Sequence, residues 1–239
     1  MNVYETANFP RALRENTYPG RGILLGVTPD GGASLAVYFI MGRSVNSRNR
    51  VFVERDGALF TEPFDPSLVE DPSLIIYAAE RNYKNNLVLT NGDQTDTVVV
   101  GLKKGKSFKE SLESRSFEPD APNFTPRISG ILTFADKDFT YEMSILKSAD
   151  AEGTACNRYT FSYTALAGLG HFIHTYVGDG TPLPTFQGEP ERVEIGDDID
   201  RFTGSLWDAL NHDNRISLFV RYTDLATGKE EKRLVNQNV

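Results

Sequence analysis

Three arginines fall within eight residues in the stretch Met41-Gly42-Arg43-Ser44-Val45-Asn46-Ser47-Arg48-Asn49-Arg50, which lies between two runs that read as strands. A guanidinium offers a planar fork of donors that matches phosphate or carboxylate, and Ser and Asn add neutral hydrogen bonds that orient a ligand without adding charge. The stretch therefore reads as a holder for something anionic. The plain alternative is a solvated loop whose arginines pair with surface acids. Three more polar groups fall at strand ends or in constrained loops: Tyr77, the run Asn91-Gly92-Asp93-Gln94-Thr95-Asp96, and the run from Glu118 to Arg127. Functional groups concentrate on loops held by a rigid scaffold, so the distribution fits one site at an edge of the domain. Taken singly, each has a bland reading: Asn91-Gly92 as a turn, Thr95 as a helix cap, Tyr77 as a core aromatic with its hydroxyl tied to backbone.

Other chemistries find no support. His171 and His174 are three apart, which on a strand sends them to opposite faces and argues against a shared metal. His212 follows a helix end and is expected to interact with its carbonyls. The single cysteine, Cys156, has no internal disulfide partner, no Cys/His group has zinc spacing, and the reducing cytosol is the expected compartment. There is no phosphate loop ending in Lys-Ser/Thr, no nucleophile elbow and no dinucleotide fingerprint. The formal net charge of −8 disfavours a nucleic-acid footprint, though a small anion in a local basic pocket stays compatible with it. No run approaches the length of a membrane span, and the first residues resemble neither a secretory signal nor an anchor.

The elements that must position these groups are mostly strands. Arg21 to Val27 and Ser34 to Met41 flank Thr28-Pro29-Asp30-Gly31-Gly32 as a hairpin, and Val51 to Glu54 and Ala58 to Thr61 flank Asp56-Gly57, the strongest short turn signal in the chain. Leu74 to Asn82 and Leu87 to Thr90 make a third hairpin. From Gln94 the period changes: Thr95 is expected to cap a helix through Val98, Val99 and Leu102, and Ser107 with Glu110 forms a capping box for a second. Prolines keep Phe117 to Arg127 irregular. Arg127 to Phe134, Phe139 to Leu146, Tyr159 to Tyr163, His171 to Tyr176, Ile216 to Tyr222 and Lys229 to Val235 read as strands, with a helix over Asp197 to Leu210 whose apolar face carries Phe202, Leu206, Trp207 and Leu210. Strands, two helices, strands, one helix, strands: the order predicts an α+β sandwich of two antiparallel sheets with helices outside. Residues 1–17 read as an N-terminal extension draped over the domain or a neighbouring subunit, and residues 18–239 as a single domain.

Together these clusters resemble one family, the archaeal-type inosine monophosphate (IMP) cyclohydrolases. The resemblance rests on Tyr18-Pro19-Gly20-Arg21 leading the first strand, Arg43-Ser44 followed by Arg48, Thr90-Asn91-Gly92 with Thr95-Asp96, and Phe117-Glu118-Pro119-Asp120 with Asn123 and Thr125-Pro126-Arg127-Ile128. It covers the first half to two-thirds of the chain and fades after Leu146. It implies a four-layer αββα sandwich similar to N-terminal nucleophile hydrolases, without their self-processed nucleophile. It implies ring closure of 5-formamidoimidazole-4-carboxamide ribonucleotide (FAICAR) to IMP with loss of water, the last step of IMP synthesis. By the same resemblance Arg48 is expected to stabilise the developing oxyanion, Tyr77 to donate or relay a proton, and Glu118 to take one from the attacking nitrogen or to orient a water that does. Arg21, Arg43 and Arg127 become candidates for the phosphate or the base edge. Ser44, Asn91, Asp96, Asn123 and Thr125 are candidates for ribose and carboxamide, and Asp120 for holding an arginine. No metal or organic cofactor is implied, and the family leans towards a homo-oligomer in the cytoplasm. The chain departs from the family in its N-terminal extension, in Asp93-Gln94 and in a bulkier final third.

Two rival readings stay open. An amide hydrolase on the same sandwich would need a nucleophile at a processed N-terminus, and neither Cys156 nor an early Ser, Thr or Cys is placed to become one. A non-catalytic purine-nucleotide binding protein would have little use for a proton relay such as Tyr77 and Glu118.

Overall fold

A computed structural model describes residues 4–69 and 76–239. The strands β1 (Arg21–Val27) and β2 (Ala33–Met41) pair as the first hairpin. Next come β3 (Val51–Arg55) and β4 (Ala58–Glu62), turned on Asp56 and Gly57, both at positive φ (52° and 72°), as a tight two-residue hairpin requires. β5 (Tyr77–Tyr83) and β6 (Asn86–Thr90) follow, then β7 (Arg127–Ala135), β8 (Asp138–Ser148), β9 (Cys156–Thr164) and β10 (Leu169–His174). The chain closes through β11 (Glu191–Glu194), β12 (Arg215–Asp224) and β13 (Glu230–Asn236). A six-stranded sheet runs β11-β10-β1-β2-β12-β13 and a seven-stranded sheet runs β3-β4-β5-β6-β7-β8-β9. Residues 74 and 75 of the strand expected from Leu74 lie outside the described residues.

Period-two alternation builds the layers. Ile23, Leu25, Val27, Ala36, Tyr38 and Ile40 face Phe52, Leu59, Ala79, Leu87, Leu89 and Ile128 of the other sheet in one core between the sheets. The opposite face of the six-stranded sheet, with Leu24, Val37, Phe39 and Phe172, packs on Phe9 and Leu13 of α1 (Phe9–Glu15) and on Ile199, Phe202 and Leu206 of α5 (Ile199–Ala209). Val88 and Ile131 of the seven-stranded sheet meet Val98 and Val99 of α3 (Gln94–Lys103) and Phe108 and Leu112 of α4 (Phe108–Leu112). The result is the four-layer αββα sandwich that element order and the resemblance both anticipated. Each fully buried Leu, Ile or Phe contributes roughly 1.5–3 kcal/mol of transfer free energy, so these three clusters dominate cohesion.

Several local expectations are corrected. Thr95 does not cap α3: Asp93 holds the cap position, and the Thr95 hydroxyl lies inside the helix 2.7 Å from that of Thr90. Residues 4–17 include α1, capped by Asn8, lie over the outer face of the six-stranded sheet, and bridge from Ala7 to Val193 of β11, which leaves their reading as an extension draped over the domain uncorrected. The arginine stretch is not all loop, because Ser44 caps one short helix, α2 (Val45–Arg48), its Oγ accepting from Ser47 N at 3.1 Å. His212 is exposed and lies 3.7 Å from Asp213.

A buried ion pair ties the two sheets together. A register shift between β4 and β5 turns Glu80 inward, where its carboxylate accepts from Arg221 Nη1 of β12 at 2.7 Å, with the two side chains 1% and 3% exposed. Glu230 and Asn82 take the other guanidinium edge at 2.5 and 3.3 Å.

Candidate active site

Strand starts and ends bring the polar groups to one end of the sandwich. Arg21 opposes Ile40 in the β1–β2 register, and Arg127 opposes Leu146 in the β7–β8 register. The beginnings of β1, β5 and β7 therefore gather beside the ends of β2, β6 and β8. Arg21 is in phase with Ile23 and Leu25, and Tyr77 with Ala79, so both point between the sheets. The Tyr18-Pro19-Gly20-Arg21 turn explains itself sterically. Gly20 sits at φ +75°, and a Cβ there would come within 2.3 Å of Thr175 Oγ1 and 2.6 Å of the Tyr176 ring. Thr175 Oγ1 in turn accepts from Arg21 N at 3.1 Å and donates to Pro19 O at 3.1 Å, which fixes where β1 begins.

Glu118 is delivered by a loop that closes on itself. Its backbone N donates to Thr125 O at 2.9 Å, and the Asp120 carboxylate accepts from Thr125 N at 2.6 Å and from the Thr125 hydroxyl. Thr125 Oγ1 also lies 2.5 Å from the Tyr176 hydroxyl, which burial pushes up to about 12 against the pull of Arg21. The Glu118 carboxyl is 5% exposed and makes no side-chain hydrogen bond to any described residue. Burial raises its pKa above the ordinary carboxylate range, and Arg21, Arg127 and Arg50 offset that only in part. A carboxyl raised in this way is better matched than an ordinary one to taking up and returning a proton.

Two guanidiniums face it. Burial works against the charge on Arg21, but Glu118 and the surrounding phenols outweigh it and hold the group firmly protonated. Arg50 is 1% exposed, and burial and the neighbouring Arg21 both lower its pKa. Its Nε donates to Ser47 O at 2.7 Å. Arg21 Nε and Arg50 Nη2 are buried without a hydrogen-bond partner among the described residues. Across the sheets the Tyr77 and Tyr38 hydroxyls are 2.9 Å apart. Arginines with spare buried donors, a buried carboxyl of raised pKa and a phenol pair make a compartment suited to a group that develops negative charge while shedding protons.

The expected residues divide into those this compartment includes and those it does not. Arg21, Tyr77 and Glu118 belong to it, with Asp120 and Thr125 at its border. Arg127 reaches Glu118 electrostatically from the helix side of its sheet, where it is held by Gln94 at 2.7 Å and Asp93 at 2.9 Å. Gly92 makes that possible, since a Cβ there would meet Arg127 Nη1 at 2.4 Å. Asn91 is spent on structure, accepting from Ile128 N and donating to Pro126 O, both at 2.9 Å. Arg43 and Asn123 sit on the rim, engaged by one loop: Arg43 pairs with Asp179 and donates to Gly180 O at 2.9 Å, and Asn123 accepts from Leu183 N at 3.0 Å. Ser44 caps α2, and Asp96 pairs with Arg81 at 2.6 Å on an exposed face.

Arg48 is the main correction. It ends α2 with an exposed side chain that donates to Gly42 O and Asn214 Oδ1, both at 3.1 Å, away from Tyr77 and Glu118. Arg50 is the arginine of this stretch that acts electrostatically on Tyr77, Tyr38 and Glu118. Arg50 adjoins β3 two residues before the inward-facing Phe52 and is in phase with it, whereas Arg48 ends the helical turn α2, where strand phase does not apply. Tyr38, in phase with Ala36 and Ile40, was missed because an aromatic amid apolar neighbours reads as core. His171 and His174 do face opposite sides of β10: His171 lies 2.6 Å from the Tyr141 hydroxyl, with its pKa lowered to about 4 chiefly by burial, and His174 bonds the Tyr176 carbonyl at 2.8 Å.

A family model described as IMP cyclohydrolase-like protein matches residues 18–229. The chain belongs to that family. Within it, a relative from Methanopyrus kandleri named IMP cyclohydrolase is 41% identical over 116 residues, covering 47% of this chain and 57% of the relative. One of the same name from Haloarcula marismortui is 33% identical over 119 residues, covering 48% and 54%. The chain thus matches about half the length of each of these curated relatives. The compartment above gathers guanidinium charge. By contrast, an open groove of about 400 Å³ at the far end of the sandwich is lined by Asp197, Asp198, Asp200, Asp224 and Glu231, which would repel a phosphate. Among the described residues no helix is long and apolar enough to cross a membrane.

Proposed function

We propose that the chain is an IMP cyclohydrolase that closes FAICAR to IMP with loss of water. The observation that carries the reading is the meeting of Glu118 and Tyr77 with Arg21 and Arg50 between the two sheets. Both reacting groups belong to one substrate, so the protein's task is to fold the formyl group onto the carboxamide and move protons. The carboxamide nitrogen attacks the formyl carbon and gives a proton to Glu118, while the formyl oxygen takes one from Tyr77. Arg50 and Arg21 stabilise the negative charge developing on that oxygen. The carbon–oxygen bond then breaks as Glu118 returns its proton to the leaving hydroxyl, and the formamide N–H proton passes to Tyr77, restoring both groups and releasing water. Arg43 and Arg127 are the candidates for the phosphate, with Asn123 and Thr125 nearest the ribose. A homo-oligomer in the cytoplasm completes the proposal.

Purified protein is expected to convert FAICAR to IMP, followed as a rise in ultraviolet absorbance. Turnover equal to the spontaneous rate would defeat the reading. Arg50→Met is expected to lower kcat by about 10²-fold or more, the usual cost of removing one donor to a developing oxyanion. Arg48→Ala is expected to stay within about twofold of the parent, as suits an exposed surface arginine. The reverse ranking would return the oxyanion role to Arg48.

A further inference from the structure

The phenol pair carries more information than its distance. Each hydroxyl has one proton to donate, and for each the other is the one hydrogen-bond partner among the described residues. Tyr38 is 0% exposed, with its ring stacked on Phe52 at 5.2 Å, and lies deeper than Tyr77, the first residue of β5. If Tyr77 donated to Tyr38, the Tyr38 proton would face the interior unpaired, and burying an unsatisfied donor is unfavourable. The opposite polarity satisfies Tyr38 and leaves the Tyr77 proton free at the compartment where Glu118, Arg21 and Arg50 meet.

We infer that Tyr38 is a positioning residue for ring closure: it donates to Tyr77 and so orients the Tyr77 proton toward the formyl oxygen of the substrate. This rests on the proposed cyclohydrolase reading. In proton terms Tyr38 neither gains nor loses a proton over the cycle, which distinguishes it from Tyr77. The substitution Tyr38→Phe keeps the ring on Phe52 and removes only the donor.

The test is a double-mutant cycle on FAICAR turnover with the full chain, measuring kcat and KM for the parent, Tyr38→Phe, Tyr77→Phe and the pair, with thermal midpoints alongside. Tyr38→Phe is expected to lower kcat about tenfold with KM within about twofold, the effect of losing one supporting hydrogen bond in the transition state. In the Tyr77→Phe background it is expected to change kcat no further, because there is no proton left to orient. Where the phenylalanine variant does not accumulate, Tyr38→Met serves the same cycle. Parental kcat in Tyr38→Phe, or losses that multiply in the pair, would overturn the inference while leaving the cyclohydrolase reading intact. A parent chain without turnover would defeat that reading instead.

Discussion

Glu118→Gln slows FAICAR turnover by about 10²–10⁴-fold, the range for loss of a positioned general base, while binding of the product nucleotide changes little. Gln keeps the shape and the contacts around the loop but cannot accept the amide proton. The pH profile of the parent carries the same information. Burial raises the Glu118 pKa above its usual 4.5, and Arg21, Arg127 and Arg50 recover only part of that shift. The base form is the active one, so kcat/KM falls as pH drops through the raised value, and the acid limb sits above the ordinary carboxylate range. Glu118→Gln removes that limb along with the rate. A variant with parental kcat, or an acid limb at the pH of a solvent-exposed Glu, would contradict the assignment.

Arg221→Ala destabilises the fold by about 3–5 kcal/mol, the cost of stripping one partner from a buried ion pair. For a chain of this length that lowers the thermal midpoint on the order of 10 °C. The reason is the geometry at Glu80: a carboxylate 1% exposed, with Oε2 already lacking a partner among the described residues, would be left without its guanidinium between two sheets. Burial raises the Glu80 pKa and Arg221 opposes it. With Arg221 gone the carboxyl takes up a proton on folding, so the deficit is smaller in acid and grows as pH rises through the raised folded value. Replacing both residues by Met recovers most of the loss, because the desolvation of both charges disappears together. The measurement is thermal and urea unfolding of the single and double variants, and a single-variant cost under about 1 kcal/mol would show that the pair is hydrated.

Strand phase and turn chemistry made most of the fold legible. Asp56-Gly57 set one hairpin, Ser107 and Glu110 formed the capping box that holds α4, and the change of period at Gln94 located the helical layer. What sequence order concealed was local geometry inside polar runs. Ser44 was read for its hydroxyl as a ligand, while its position four residues before Arg48 made it a cap for one helical turn. That turn rotates Arg48 outward and leaves Arg50 to enter the site in phase with β3. Asn91 and Thr95 were also read as ligand groups or caps, yet both satisfy buried neighbours around Ile128 and Thr90. Tyr38 and Tyr77 illustrate a different limit: their partnership spans two sheets and 39 residues, and no spacing rule encodes it.

The placement of the site is tested most directly by a crystal structure of the protein soaked with IMP. The purine ring is expected between Tyr77 and Glu118, with N1 toward the carboxylate, C2, the former formyl carbon, toward Tyr77, Arg21 and Arg50, and the phosphate toward Arg43 or Arg127. Nucleotide bound instead beside Arg48, or at the acidic end near Asp198 and Tyr222 with the Tyr77–Glu118 compartment unchanged, would contradict it.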